Sequence, residues 1–261
     1  MGNLRRMLSR SRMQHLRSLG RKKGRREADR TLVEGSRSVS LALDQERVEV
    51  VEVLRVEGKG ESLLERCKFR SVPVTTIRES DLERLSDVQN SQGVLAVIRP
   101  PRASREDLTR NRGLLVALDR VQDPGNAGAI LRNAWAFGAE GILFGRGSVE
   151  AFAPKVIRAS AGGVLAVPVM EDQDLPEELG RLSHEGRAVL GTAGKGGISA
   201  DGFDFRSGSV LVFGSEGSGL SEAVRDLCDH QITVMHRPEV ESLNVAVSAG
   251  ILMAFYWART R

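Results

Sequence analysis

The stretch "LLVALDRVQDPGNAGAILRNAWAFGA", residues 114–139, changes its periodicity within a few positions. Residues 114–121 form a short, nearly unbroken apolar run, the pattern of a strand covered on both faces. Asp123-Pro124-Gly125-Asn126 then reads as a turn. Pro fixes φ, Gly frees it, and Asn126 caps a helix predicted near 126–137. Strand, turn and helix in this order form the first half of a βαβ unit, so the fold depends on whether the pattern recurs.

It recurs to the end of the chain. Apolar runs follow at 141–144 ("GILF"), 164–169 ("VLAVPV"), 187–193 ("RAVLGTA"), 209–213 ("SVLVF") and 231–235 ("QITVM"). Helix-like segments lie between them near 153–161, 175–184 and 220–228. Short apolar strands separated by helices predict a mostly parallel sheet with both faces covered. Ligands of such sheets sit outside the carboxyl ends of the strands, so the loops after strands matter most.

A smaller α/β pattern precedes this one. Strands are expected at 31–34, 48–56, 72–77 and 93–99, and helices at 36–44, 60–67 and 79–87. "PPRASREDLTRNRG", 100–113, has the Pro, Ser and charge content of a linker. The expected organisation is a basic segment 1–30, a small domain 31–105 and a larger one 113–261. Residues 3–18 fit a basic helix, and "GRKKGRREADR" after it reads as a turn or mobile stretch.

The net charge is only +4, but it is unevenly placed. "LRRMLSRSRMQHLRSLGRKKGRRE" gathers Arg and Lys with almost no acid, while later segments are balanced. That asymmetry points to a polyanion, most often nucleic acid; a solvated tail or a targeting segment is the alternative. No apolar run approaches the ~20 residues of a membrane span, and no apolar core follows the basic start as in a signal peptide. Cys67 and Cys228 lie far apart without CxxC spacing, which predicts reduced thiols and a cytoplasmic setting. Four scattered histidines show no metal-ligand pattern.

Three loops carry candidate chemistry. In the first, Arg132 follows Asn126 by six residues, among apolar Ile130, Leu131 and Ala134. Taken alone, Arg132 also fits a surface or salt-bridged arginine. In the second, "FGSEGSGLS", 213–221, Gly214, Gly217 and Gly219 allow a tight backbone path around Glu216. It is not GxGxxG and no GK[ST] follows, so nucleotide-phosphate binding is unsupported, and GxGxxG is also missing after the first strand, which counts against a nucleotide-dependent oxidoreductase. A simple chain reversal stays open there. In the third, "HRPEVESLNVAV", 236–247, Ser242 can cap the final helix, and Asn244 lies too deep to be the only cap. The helix that follows is apolar almost all round, which means burial in a core or in a subunit interface.

In order and spacing, these motifs resemble the SpoU-type (TrmH-like) RNA ribose 2′-O-methyltransferases of the SPOUT superfamily. The carriers are D-P-x-N-x-G-x-x-x-R, F-G-S-E-G-x-G-L-S and E-S-L-N-V-A-V-S-A-G, spanning roughly residues 114–257. "LVEGSRSV" and "LERLSDVQNSQGVLAVI" are similar to the family's L30e-like substrate-binding domain.

The resemblance implies an α/β fold with a C-terminal deep trefoil knot, S-adenosyl-L-methionine as cofactor, and a homodimer packed through the knot region. It implies that Thr192, Gly214, Val234 and Leu243 line the cofactor pocket, and that Arg132, Asn126, Glu216, Ser242 and Asn244 occupy the functional positions. An arginine keeps its proton at neutral pH, so Arg132 is expected to act as an electrostatic clamp on RNA phosphate beside the target ribose. Glu216 and Ser242 would hold the loops, and Asn244 would orient the hydroxyl or the first loop. The family's last strand usually ends in Ile-Pro-Met; here the chain has Val234-Met235-His236, and His236 reads as a satisfied loop histidine. The L30e-like domain, which tRNA-specific relatives usually lack, makes large-subunit rRNA the expected substrate. The alternatives are a tRNA 2′-O-methyltransferase and a non-catalytic RNA-binding assembly factor.

Overall fold

The computed structural model describes residues 7–88 and 90–260. In chain order the elements are α1 (Arg10–Ser18), α2 (Lys22–Ala28), β1 (Thr31–Glu34), α3 (Ser36–Asp44), β2 (Glu49–Val56), α4 (Leu64–Phe69), β3 (Val74–Ile77), α5 (Glu79–Glu83) and β4 (Val94–Arg99). They continue as α6 (Arg105–Thr109), β5 (Leu115–Asp119), α7 (Pro124–Ala136), β6 (Gly141–Gly145), α8 (Pro154–Ala159), β7 (Val169–Gln173) and α9 (Leu175–His184). The last are β8 (Val189–Thr192), β9 (Ile198–Ser199), β10 (Val210–Gly214), α10 (Glu222–Arg225), β11 (His230–Thr233) and α11 (Val245–Arg259). The chain divides into two compact units, one of residues 1–101 with 152–166, the other of 102–151 with 167–261.

In the first unit the strands run β1-β4-β2-β3, antiparallel except for the β2–β3 pair. Leu32, Leu54, Ile77 and Leu95 build its core together with Leu16 and Leu19 of the basic N-terminal segment. Burying those two leucines holds α1 on the domain. The stretch expected as a turn or mobile segment is helical instead. Gly24 of α2 lies so close to α1 that a Cβ there would stand 2.2 Å from the Ser18 carbonyl oxygen. The glycine therefore permits a contact that any side chain would block. Positions 3–6 of the helix expected over 3–18 lie outside the described residues.

The apolar run 164–169 is not a strand. Gly163–Leu165 form a 3-10 turn, and the strand begins only at Val169, after Pro168. Val164 and Leu165 are fully buried all the same, and the Leu165 carbonyl accepts from Arg47 Nη2 at 3.0 Å. A short apolar run records burial, and burial alone does not separate a strand from a packed turn.

The second unit holds a seven-stranded sheet in the order β7-β6-β5-β10-β8-β11-β9, parallel at every pairing. The central strand β10 is buried along its whole length and pairs with β5 from Val210↔Leu115 to Gly214↔Asp119. That register brings the ends of these two strands, and the loops leaving them, to the same level. α7 and α11 pack on each other, and Asn133 Nδ2 donates to the Ala246 carbonyl at 3.3 Å. The expected linker contains α6, started by a capping box in which Ser104 and Asp107 bond reciprocally. Buried Arg187 donates to the carbonyls of Asn111 (2.7 Å) and Gly113 (2.8 Å), tying the start of β5 to the approach to β8. Both cysteines are free, and burial pushes the Cys228 thiol up to about 11. Among the described residues, no helix is long and apolar enough to cross a membrane.

Candidate active site

Three of the neighbouring parallel strands, β10, β8 and β11, end at Gly214, at Thr192 and just before Val234. A cavity of about 540 Å³ opens at these carboxyl ends. Thr192, Gly214, Val234 and Leu243 all line it, together with Glu216, Ser242 and Asn244. Asn126 and Arg132 are not part of its wall. Arg132 is exposed on α7 and has no ion pair or side-chain hydrogen bond among the described residues.

Each loop is shaped by local chemistry. The β10 loop closes on itself: the Ser215 N–H donates to the Gly219 carbonyl at 3.1 Å, and the Gly219 N–H returns to Ser215 O at 2.9 Å. Gly214 makes this closure possible, because a Cβ there would lie 2.2 Å from the Gly219 carbonyl carbon. Gly219 sits at φ +64°, in the left-handed region that favours glycine. Asp119, at the end of β5, accepts from the Ser221 N–H at 2.6 Å and anchors the far side of the loop. Sequence reasoning missed Asp119, where a carboxylate ending an apolar strand was the available signal. The Thr192 hydroxyl donates to the Val212 carbonyl at 3.0 Å, which leaves its oxygen to act as an acceptor.

Two helix caps differ from expectation. Asp123, not Asn126, caps α7, accepting from the Asn126 N–H at 2.8 Å. Pro124 takes the first helical position, which needs no donor, so the cap must precede it. The Asn126 side chain is thereby freed, and its amide donates to Glu216 Oε1. At α11 the cap is Asn244 and not Ser242. Its Oδ1 accepts from Ala246 N–H (2.9 Å) and Val247 N–H (3.3 Å). Its Nδ2 donates to Asn126 Oδ1 at 3.0 Å. The result is one hydrogen-bond chain, Asn244 to Asn126 to Glu216, joining all three loops at the mouth of the cavity.

The final strand's departure is absorbed locally. His236 Nδ1 bonds the Val234 carbonyl at 2.8 Å, and Met235 is exposed. Lys195, which sequence reasoning also missed, lines the cavity and donates to the Pro238 carbonyl at 3.3 Å. No pattern of spacing marks a single lysine in a glycine-rich loop.

Comparison with known proteins agrees with this geometry. The family model described as "SpoU rRNA Methylase family" matches residues 113–254, and the one described as "MRM3-like substrate binding domain" matches residues 10–96. A Synechocystis protein named an uncharacterized tRNA/rRNA methyltransferase is 33% identical over 243 residues, 92% of this chain and 88% of its own length. The SpoU methyltransferase AviRb of Streptomyces viridochromogenes, solved in complex with the cofactor AdoMet, is 26% identical with a TM-score of 0.85, covering 97% of this chain and 100% of that one. A structure described as an RNA 2′-O ribose methyltransferase is 26% identical with a TM-score of 0.83, covering 98% and 99%.

S-adenosylmethionine is the cofactor of this family, and the residues present fit it. The cavity volume is in the range of about 300–1,000 Å³ typical for such ligands. Ile232, Val234, Leu243 and Leu252 give it apolar wall, and Glu216 adds an acidic residue to the lining. Matched by the SpoU family model over residues 113–254 and 33% identical to a named tRNA/rRNA methyltransferase over 92% of its length, this chain belongs to the SpoU rRNA methylase family of S-adenosylmethionine-dependent RNA methyltransferases.

Proposed function

We propose that this protein methylates a ribose 2′-hydroxyl of RNA, with large-subunit rRNA as substrate, and that it acts as a homodimer. The observation that carries this reading is the Asn244–Asn126–Glu216 chain, which ties the first loop to two loops of the cofactor cavity. Bound S-adenosylmethionine supplies the methyl group as a sulfonium. The protein must align the ribose hydroxyl with it and favour loss of one proton.

Arg132 is the candidate for the second task. It is exposed, unpaired among the described residues and one helical turn from exposed Trp135 on the same face of α7. Trp135 on α7 and Val247 on α11 both stay exposed although the two helices pack on each other. A homodimer covering that face would direct Arg132 to the partner's cavity, where its charge clamps the RNA phosphate beside the ribose and stabilises the developing alkoxide. Glu216 and Asn244 then position, by holding the loops through Asn126, and Ser242 contributes its place on the cavity wall.

The same proposal includes residues 31–105 as an L30e-like RNA-binding domain, 113–261 as the catalytic domain and a deep trefoil knot in the latter. The knot in this proposal rests on membership of the family. The two free thiols support a cytoplasmic location. A substrate-binding module of the kind that tRNA relatives usually lack supports rRNA over tRNA.

The test is methyl transfer from labelled S-adenosylmethionine to total RNA of a strain lacking this protein. We expect label in large-subunit rRNA, recovered as an alkali-resistant 2′-O-methylated dinucleotide, and about 100-fold less with Arg132→Ala, the scale of one electrostatic contact made in the transition state. Label in tRNA would favour a tRNA enzyme. Cofactor binding without transfer to free RNA or ribosomal particles would favour an RNA-binding assembly factor.

A further inference from the structure

A second cavity, of about 750 Å³, lies within the first unit and shares no residue with the cofactor cavity. One wall is a stripe of α1. Arg10, Met13, Gln14 and Arg17 fall at positions i, i+3, i+4 and i+7 and so occupy one helix face. Arg21, just past the helix, extends the stripe. Arg84, beyond α5, and Arg158, on α8, stand in other parts of the lining. The floor is apolar, formed by Leu32, Leu85 and Leu95.

The charge is uncommitted. Arg10, Arg17, Arg21 and Arg84 make no ion pair and no side-chain hydrogen bond among the described residues. Glu34 also lines the cavity, with a largely buried side chain, and is fixed there: Oε1 accepts from the hydroxyls of Ser86 (2.5 Å) and Ser91 (2.7 Å). Its Oε2 lies 3.9 Å from Arg158 Nη1. Exposed Asp87 is the second acid of the lining. Five arginines against two carboxylates make this an anion-attracting cavity with an apolar base.

We infer that this cavity receives one unpaired nucleotide of the RNA substrate, its base on the leucine floor and its flanking phosphates on the arginines. Three features favour this occupant over a bare phosphate track. A track needs no apolar floor. A volume of this order admits a nucleotide, and bases turned out of bulges and loops are what proteins read in folded RNA. Arginine planes also stack on bases while pairing with phosphate. Glu34 repels phosphate from its own side, which orients the nucleotide with its phosphates toward α1. The inference rests on the RNA-methyltransferase reading, and it adds the site at which the first unit selects an unpaired base.

The experiment uses the full chain and two labelled RNA hairpins that differ only in a single-nucleotide bulge. Each is titrated over a range of salt with wild type and with the triple variant Arg17→Ala/Arg21→Ala/Arg84→Ala. We expect wild type to bind the bulged hairpin about tenfold more tightly, the scale of one stacked base. The triple variant should lose that preference and reduce the salt slope by about 1.4, for the two flanking phosphates at ~0.7 each. S-adenosylhomocysteine binding, measured on the same preparations, should not change. Equal binding of both hairpins by wild type, or a bulge preference that survives the triple substitution, overturns the inference. Failure of the methyltransferase reading shows elsewhere, as absence of transfer or of cofactor binding by wild type.

Discussion

Asn244 performs two tasks with the two ends of one amide. Its oxygen caps α11, and its nitrogen holds Asn126, which holds Glu216. The two tasks can be separated. Asn244→Asp keeps an acceptor for the Ala246 and Val247 N–H groups, and a carboxylate suits a helix N-terminus. It removes the donor to Asn126 and adds a second acid beside Glu216. We expect a melting temperature near that of wild type with methyl transfer reduced at least tenfold. Asn244→Ala should lose both, including about 1 kcal/mol of cap stability. Unchanged transfer by the aspartate variant would count against a site role. The Ser-Leu-Asn triplet marks this place in the sequence. Which of Ser242 and Asn244 caps depends on where the backbone turns helical, and spacing leaves that undecided between the two.

At the level of elements, the glycines of the β10 loop are not equivalent. A Cβ on Gly214 would meet the backbone of Gly219 and Leu220 at 2.2–2.4 Å, and main chain has little room to give. A Cβ on Gly217 would meet nothing within 4 Å. Gly214→Ala is therefore expected to destabilise by about 1–3 kcal/mol and to abolish cofactor binding. Gly217→Ala should change stability by no more than about 0.5 kcal/mol. Thermal melts and calorimetric titration with S-adenosylhomocysteine check both, and equal behaviour of the two variants would contradict the closed-loop geometry. In the sequence all three glycines carry the same meaning, because the need for a missing Cβ arises from a contact across the loop. Gly24 repeats the lesson: it falls in a stretch that reads as mobile, yet it is where α2 closes on α1. Helix α9, in contrast, is fully legible in the sequence. Asp174 caps it, Pro176 stands in its first turn, and its apolar face of Leu175, Leu179 and Leu182 repeats at helical spacing.

For the whole molecule, the proposed dimer makes a prediction that neither residue nor loop can make. If Arg132 serves the partner's cavity, Arg132→Ala and Asn244→Asp damage opposite halves of a composite site. Each alone should be poorly active as a homodimer. Mixed by co-refolding, half of the dimers are mixed, and each of those carries one intact site. Activity should then return to about a quarter of wild type, as two-fold symmetry requires. Mixed samples no more active than the separate variants would place Arg132 and the cavity of one chain in the same site, or remove Arg132 from the reaction.

The sequence by itself determined the two α/β patterns, the parallel character of the larger sheet and the three loops that carry chemistry. Those properties are local: periodicity sets the element, and the strand-end rule points to the loops. The tertiary structure decided what the loops do together. Asn126 lies 90 positions from Glu216 and 118 from Asn244, yet the three side chains form one hydrogen-bonded line. The arginines of residues 10–21 acquired a cavity only when Arg84 and Arg158 were folded against the same apolar floor. Hydrogen bonds and close backbone contacts depend on distances of a few ångströms between remote segments, and those distances are fixed by packing and not by the order of residues.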